Sequence, residues 1–382
     1  MATSERLEPF GVTIFTEMTA LAVEHDAINL GQGFPNWSGA GFVKDAAARS
    51  LEEGKHDQYP PSAGIPELRG AIARRYGPLL DRDLEPNIEI TITSGCTEGL
   101  AASFLGLIDP GDEVVLIEPF YDAYPADVAL AGGVPRFVSM RPPEFRLDPD
   151  ELRAAFSERT KAIVINTPHN PTGRVFTREE LQVVADLCHE FDAIVISDEV
   201  YEEMTYGREH VRMATLPGMW ERTITLSSLG KTYSLTGWKL GWAIGPGELT
   251  AALRAAHQFL TFTTPTPVQH GGVAALEAPE SFYEALRADY QSKRDVLARG
   301  LSDVGFDVYL PEGTYFLMAG FENFGFDDDR SFAHHLVREA RVAVIPPSAF
   351  YATPGGGSDL VRFAFCKDEE TLEQAVDRLR RI

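Results

Sequence analysis

The chain has 382 residues, 44% hydrophobic and 24% charged, a make-up that excludes disorder and a length that suits two domains, each able to bury its own core. With 34 basic against 57 acidic residues the net charge is −23, which sets nucleic acid and anionic membrane aside as main partners. Cys96, Cys188 and Cys366 lie far apart with no metal-ligand spacing, so neither a disulfide framework nor a metal site is expected; without a leader pattern or an apolar run of ~18 residues, the chain is expected to be cytoplasmic.

Apolar runs at EITIT (89–93), EVVLI (113–117), KAIVIN (161–166), AIVIS (193–197) and TITLSS (223–228) alternate with helix-like stretches such as PELRGAIARRYG (66–77) and REELQVVADLCHEF (178–191). That alternation predicts an α/β domain with a mostly parallel sheet between helices. From about residue 275 the pattern changes to a long amphipathic helix (282–305), scattered short strands and a closing helix (368–382), read as a smaller α+β domain completed by the N-terminal arm. The expected division is 1–44 for the arm and part of the small domain, 45–275 for the large domain and 276–382 for the small domain. ATPGGGSD (352–359) is the most flexible-looking loop.

Ligands of open α/β sheets collect at the carboxyl ends of the strands, so the polar residues just past each apolar run matter most. After EITIT comes SGCTEGLAAS, where the N–H groups of Gly95, Cys96 and Thr97 at a helix N-terminus suit a phosphate, or simply a strand-to-helix turn. After EVVLI comes EPFYDAY, in which Pro119 bends the chain and Tyr121 is either a core aromatic or a stacking face. After KAIVIN comes TPHNPTG: Asn170 before Pro171 makes a turn, a candidate for a cis peptide, and also sets an amide at the strand end. After AIVIS comes DEVY, where Asp198 must be paired, by a structural salt bridge or by a ligand, with Tyr201 three residues on.

The fifth stretch is SSLGKTYSLTGWKLGW (227–242). An arginine would serve a structural ion pair as well as Lys231; only lysine offers an amine that loses its proton when desolvated and forms an imine with a carbonyl. Ser228 and Lys239 flank it with a hydroxyl and a second cation. A phosphate turn, a stacking ring, an amide, a carboxylate and a lysine together describe pyridoxal 5′-phosphate, whose aldehyde, phosphate, ring and pyridine nitrogen each need one of them.

The motifs IFTEMTALA, INLGQGFP (28–35), QYPPSAGIPELR, NTPHNPTG, SDEVYE, SSLGKTYSLTGWKLGW and VRFAFCK, in that order, resemble the class I/II, fold-type I pyridoxal-phosphate aminotransferases nearly end to end. The resemblance is greatest to the branch of kynurenine/glutamine, methionine and N-succinyldiaminopimelate aminotransferases. It implies that Lys231 forms the imine with the cofactor and then shuttles the substrate Cα proton. Asp198 would pair with the pyridinium nitrogen, Asn170 and Tyr201 would bond the phenolic oxygen, and Tyr121 would stack on the ring. Gly95, Cys96, Thr97, Ser228 and Lys239 would hold the phosphate, helped by Tyr59 from the other subunit of a homodimer.

Arg362 would grip the substrate α-carboxylate, with Gly33 beside it where a side chain would block the substrate. Phe15, Phe262 and Phe350 match the side-chain pocket and favour an apolar, aromatic or thioether-bearing amino acid. The activity implied is ping-pong transfer of an amino group from a methionine-, glutamine- or phenylalanine-like amino acid to a 2-oxo acid. A cysteine S-conjugate β-lyase would share the site. So would a biosynthetic aminotransferase acting on N-succinyldiaminopimelate, given an extra cation from Arg141, Arg174 or a neighbouring subunit. An effector domain of a DNA-binding regulator is set aside by the net charge of −23.

Overall fold

The computed structural model describes residues 3–382. Its strands are β1 (Ile28–Asn29), β2 (Ile90–Thr93), β3 (Glu113–Glu118), β4 (Val134–Ser139), β5 (Thr160–Asn166), β6 (Ile194–Asp198), β7 (Thr223–Ser228), β8 (Gly241–Ile244), β9 (Asp307–Tyr309), β10 (Phe316–Gly320), β11 (Val342–Ala343) and β12 (Leu360–Ala364). Seven of them form the central sheet in the order β2-β8-β7-β6-β5-β3-β4. The expected mostly parallel sheet is present: β4, β3, β5, β6 and β7 run parallel, and β8 alone opposes its neighbours.

Helices cover both faces, which is why these strands read as nearly continuous Val/Ile/Leu runs. Successive side chains of a strand point to opposite faces, and the two faces feed separate cores. Val114, Leu116, Val164 and Ile196 join Leu100, Ala102 and Phe104 of the helix Gly95–Leu107. Val115, Ile163, Ile165 and Val195 join Leu181, Val184 and Ala185 of the helix Arg178–Glu190. A reciprocal capping box between Thr177 and Glu180 starts that second helix.

Two strands escape the sequence pattern. β4 (VPRFVS) lies at the sheet edge, where proline is tolerated and side chains alternate between exposed and covered; β8 (GWAI) is short and opens on glycine. Two others start one residue later than their apolar runs. Glu89, for instance, closes a short helix, Pro86–Glu89, that Pro86 and a capping bond from Asn87 N–H to the Glu85 carboxylate begin. The Asn170–Pro171 peptide is cis.

Toward the C-terminus β9, β10 and β12 make an antiparallel sheet, and the helices Glu280–Val304 and Glu369–Leu379 pack on each other. β1 pairs with β11, Ile28 opposite Val342, which stitches the N-terminal stretch to this region. Two glycines of 352–359 serve close packing: a Cβ on Gly356 would lie 2.4 Å, and one on Gly357 2.7 Å, from the Tyr351 ring. Among the described residues no helix is long and apolar enough to cross a membrane.

The parallel register places β5, β6 and β7 side by side, so Asn166 lies opposite Asp198, and Ser228 opposite Gly241, all at one end of the sheet. The helix Gly95–Leu107 starts at the same end and is held there by the helix Gly247–Leu260. At their crossing a Cβ on Gly106 would come 2.3 Å from the Ala252 carbonyl oxygen. Gly106→Ala is therefore expected to cost roughly 1–3 kcal/mol, read as a lower urea midpoint at unchanged slope. An unchanged midpoint would mean that the helices separate freely.

Candidate active site

At this end of the sheet opens a cavity of about 260 Å³. Ten residues singled out from the sequence line it: Gly95, Cys96, Thr97, Tyr121, Asn170, Asp198, Tyr201, Ser228, Lys231 and Lys239. They come from five segments that the strand order brings together.

One end of the cavity is built for an anion. Gly95, with φ of 71°, turns the chain out of β2 into its helix, and Lys239, also left-handed at φ 51°, places Nζ 3.1 Å from Thr97 Oγ1. Gly241 permits this approach, since a Cβ there would lie 2.5 Å from Gly95 C and 2.7 Å from Cys96 N. A cation, a hydroxyl and a helix N-terminus thus converge.

The deep wall carries the acid. Asp198, buried at the end of β6, accepts a hydrogen bond from Tyr124 Oη at 2.8 Å and one from Val200 N–H at 3.3 Å. Burial pushes its pKa up, against the opposing pull of Tyr124, the Val200 N–H, Cys96 and Lys231. The Cys96 thiol sits beside this carboxylate and is itself pushed up by burial and by Asp198, so what Cys96 brings to the helix N-terminus is its backbone N–H.

Lys231 follows β7 on a single helical turn, Leu229–Thr232, with Nζ 5.5 Å from the Tyr201 ring centre and 5.7 Å from that of Tyr315. Burial lowers its pKa, and Arg362 adds to the effect while Asp198 opposes it. More of this amine is unprotonated at neutral pH than on a surface lysine.

Arg362, in β12, is 1% exposed. Its Nη1 donates to Asn170 Oδ1 at 3.0 Å and its Nη2 to the Gly31 carbonyl at 2.8 Å, while Nε is buried without a partner. The guanidinium lies 4.0 Å from the Phe316 ring centre and 5.2 Å from those of Phe15 and Phe350. Burial lowers its pKa to about 10. The Asn170 N–H donates to Asn166 Oδ1 at 2.7 Å, and Asn166 Nδ2 to the Asp198 carbonyl at 2.9 Å, so a polar chain links acid and arginine.

Gly33 adjoins this arginine's surroundings for a specific reason: a Cβ there would lie 2.7 Å from Phe316 Cζ and 3.0 Å from Tyr315 Cε2. Tyr59 and Phe262 do not reach the cavity within their own chain. Their rings meet edge-on at 5.6 Å on the surface, 85% and 45% exposed.

Sequence reasoning passed over Tyr124, Asn166, Tyr315 and Phe316. Asn166 carried a usable signal, as the first polar residue after its apolar run, like Asp198. Tyr124 stands in the quoted EPFYDAY, whereas Tyr315 and Phe316 sit in an apolar strand context that reads as core.

A desolvated lysine at the strand ends of a parallel sheet, between an anion seat and a buried arginine, marks an enzyme of amine and carbonyl chemistry. Residues 25–379 match the family model for aminotransferase class I and II, and the chain belongs to that family. It is 41% identical over 417 residues to the kynurenine–oxoglutarate transaminase of Dictyostelium discoideum, covering 99% of this chain and 96% of that protein. The solved structure of N-succinyldiaminopimelate aminotransferase from Mycobacterium tuberculosis superposes with a TM-score of 0.96 at 44% identity, covering 99% of each chain. YbdL from Escherichia coli, a protein with a methionine aminotransferase function, gives a TM-score of 0.96 at 38% identity over 100% of each. The protein is thus an aminotransferase of the fold-type I architecture.

The depressed pKa of Lys231 has a thermodynamic consequence in the cofactor-free protein. Between its folded value and the ordinary 10.5, the unfolded chain binds more protons, so this residue's contribution to stability grows with pH and is least favourable on the acid side. Lys231→Met is expected to stabilise the cofactor-free protein at neutral pH, with the advantage shrinking as pH rises towards 10.5. Melting-temperature differences that stay constant across that range would mean the amine is not desolvated.

Proposed function

We propose that this aminotransferase holds pyridoxal 5′-phosphate in the cavity and moves the amino group of an apolar, aromatic or sulfur-containing amino acid to a 2-oxo acid. The donor set fits the cofactor: an anion seat for its phosphate, a buried carboxylate for its ring nitrogen and a desolvated amine for its aldehyde. When bound, this cofactor supplies an aldehyde that condenses with amines and a protonated ring that accepts the electron pair left by Cα–H cleavage.

The chain's own residues divide the remaining work. Lys239, Thr97, Ser228 and the helix N-terminus at Gly95 and Cys96 anchor the phosphate. With the cofactor bound, Asp198 would keep its ring nitrogen protonated, Asn170 and Tyr201 would offer hydrogen bonds to its phenolic oxygen, and Tyr121 would offer an aromatic face to the ring. Lys231 Nζ, partly neutral through burial, takes and returns the substrate Cα proton. The Arg362 fork orients the α-carboxylate so that Cα–H faces that amine.

The observation that carries the substrate class is Arg362, with unspent donors, in a ring of phenylalanines, while the two other arginines considered for a distal carboxylate are already paired. Arg174 is committed to both oxygens of Glu180 at 2.9 and 3.0 Å and to Glu312 at 3.3 Å, and Arg141 to Glu151 at 2.8 Å. Neither is left for a distal carboxylate, which favours methionine-, phenylalanine- or glutamine-like donors over N-succinyldiaminopimelate. The methionine and kynurenine relatives support the same choice.

The exposed pair Tyr59 and Phe262 suits a homodimer in which each serves the other subunit's site. We also read residues 1–44 with 276–382 as the small domain, 45–275 as the large domain, and the protein as cytoplasmic.

Lys231→Ala is expected to abolish both turnover and the near-visible absorbance of the bound cofactor in a protein that still folds; retained transamination would remove Lys231 from the chemistry. Lys239→Ala should chiefly weaken cofactor retention, and unchanged affinity would place the phosphate elsewhere. A half-reaction screen should show methionine, phenylalanine or glutamine bleaching that absorbance faster than N-succinyldiaminopimelate. The opposite ranking overturns the substrate class, and pyruvate release from a cysteine S-conjugate would assign the β-lyase reaction.

A further inference from the structure

Tyr124 stands on the helix Ala123–Ala131, three residues past Tyr121, and is buried. Its hydroxyl donates to Asp198 Oδ2 at 2.8 Å, the shorter of the two hydrogen bonds this carboxylate accepts; the other, from Val200 N–H to Oδ1, is 3.3 Å long. Its ring also meets Tyr121 edge-on, with centres 5.6 Å apart and planes at 81°. One side chain therefore braces both the acid of the deep wall and the aromatic face beside it. A carboxylate can accept from further donors, so this bond fixes one oxygen and leaves capacity for a donor in the cavity.

We propose that Tyr124 is a positioning residue, which fixes the ionised Asp198 carboxylate toward a cationic ring nitrogen in the cavity and seats Tyr121 against the same ring. This rests on the cofactor reading above. A hydroxyl-to-carboxylate bond is charge-assisted and stronger than a neutral one, and in a dry site its loss strands an oxygen that water does not reach. The alternative role for a buried tyrosine is packing alone, which would depend on the ring and not on the hydroxyl.

The two roles separate in a double-mutant cycle. The protein is purified with bound pyridoxal 5′-phosphate, stripped, and retitrated with the cofactor while its absorbance is followed. Tyr124→Phe is expected to raise the cofactor Kd on the order of ten- to a hundred-fold, the effect of one hydrogen bond to a charged group. In an Asp198→Ala background, the same change should alter Kd less than about threefold, since the hydroxyl no longer has its carboxylate. An unchanged Kd in the parent overturns the proposal, and so does an equal loss in both backgrounds, which would assign packing.

A pH series supplies a second readout. Asp198 faces Tyr124, Cys96, Lys231, Tyr121 and Tyr201, and of the hydroxyls among them Tyr124 is the one bonded to it. Without it the carboxyl is held less firmly in its ionised form, so cofactor retention should fail at higher pH on the acid side in Tyr124→Phe than in the parent. Coincident acid limbs count against the proposal. A parent protein that takes up no pyridoxal 5′-phosphate at all refutes the cofactor reading instead, an outcome distinct from either of these.

Discussion

Asp198 and Arg362 are buried and Lys231 is half-buried, the acid and the amine lining the cavity and the arginine bonded to its Asn170, and among the described residues none of the three forms an ion pair with another side chain. Charges taken out of water without partners are expensive, and here three such groups lie within electrostatic reach of one another. On the proposed reading, a ligand whose own groups complement each of the three would relieve that cost. The same desolvation that makes the cavity unfavourable when empty lowers the Lys231 pKa and leaves the Arg362 Nε unpartnered, so instability and reactivity here have a single source. A ligand that binds only the folded chain returns the cost as stability.

A second buried charged cluster shows what structural burial looks like in the same protein. Just past Asp198, Glu202 accepts from Ser227 at 2.7 Å, from Arg212 at 2.5 Å and from Tyr76, while Glu199 accepts from Ser197 and meets His210, each at 2.8 Å. Glu199, Glu202 and His210 are close enough to hold a metal, yet their carboxylates are already bonded to Arg212, Ser227, Ser197 and Tyr76. The carboxylates of this cluster are satisfied by protein donors, while His210 Nδ1 and Arg212 Nε are left without hydrogen-bond partners. The buried carboxylates at 198 and at 199 and 202 thus differ in their surroundings: Glu199 and Glu202 face a histidine and an arginine of the protein, whereas Asp198 faces an open cavity.

The strand ends were legible because a parallel sheet covered on both faces writes itself as apolar runs, and the first polar residue after such a run has few reasons to be there. Asp198 stands out on that ground, whereas Asn170 and Lys231 lie a few residues past their runs and stand out by the Asn-Pro turn and by the chemistry of a lysine among hydroxyls and glycines. β4 and β8 left no such mark: an edge strand is half exposed, and GWAI is too short and too glycine-led to carry a period. Tyr124 and Phe316 were hidden for the converse reason, since an aromatic that orients a functional group looks in sequence like one that fills a core. Only the fold says which polar atom its ring or hydroxyl reaches. Tyr59 and Phe262 lie outside the cavity of their own chain, a placement that no spacing rule within the sequence reports.

The two halves of the site are also built from different parts of the chain. Everything on the cofactor side, from Gly95 to Lys239, belongs to the central sheet and its first helices, whose register is fixed by continuous β pairing. The surroundings of Arg362, the proposed substrate side, come from the ends of the chain: Phe15 and Gly31 from the N-terminal stretch, Phe316 and Phe350 from the C-terminal region, joined through β1 and β11 and through Arg362 to Gly31. Asn170 is the bridge between them, taking Asn166 on one side and Arg362 on the other. With that division, side chains around Arg362 can be exchanged without disturbing the strand register that holds Asp198, Ser228 and Lys231 in place. On the proposed reading, substrate range and cofactor chemistry would therefore be separable properties of this fold, with the substrate preference set by the phenylalanine ring around the Arg362 guanidinium.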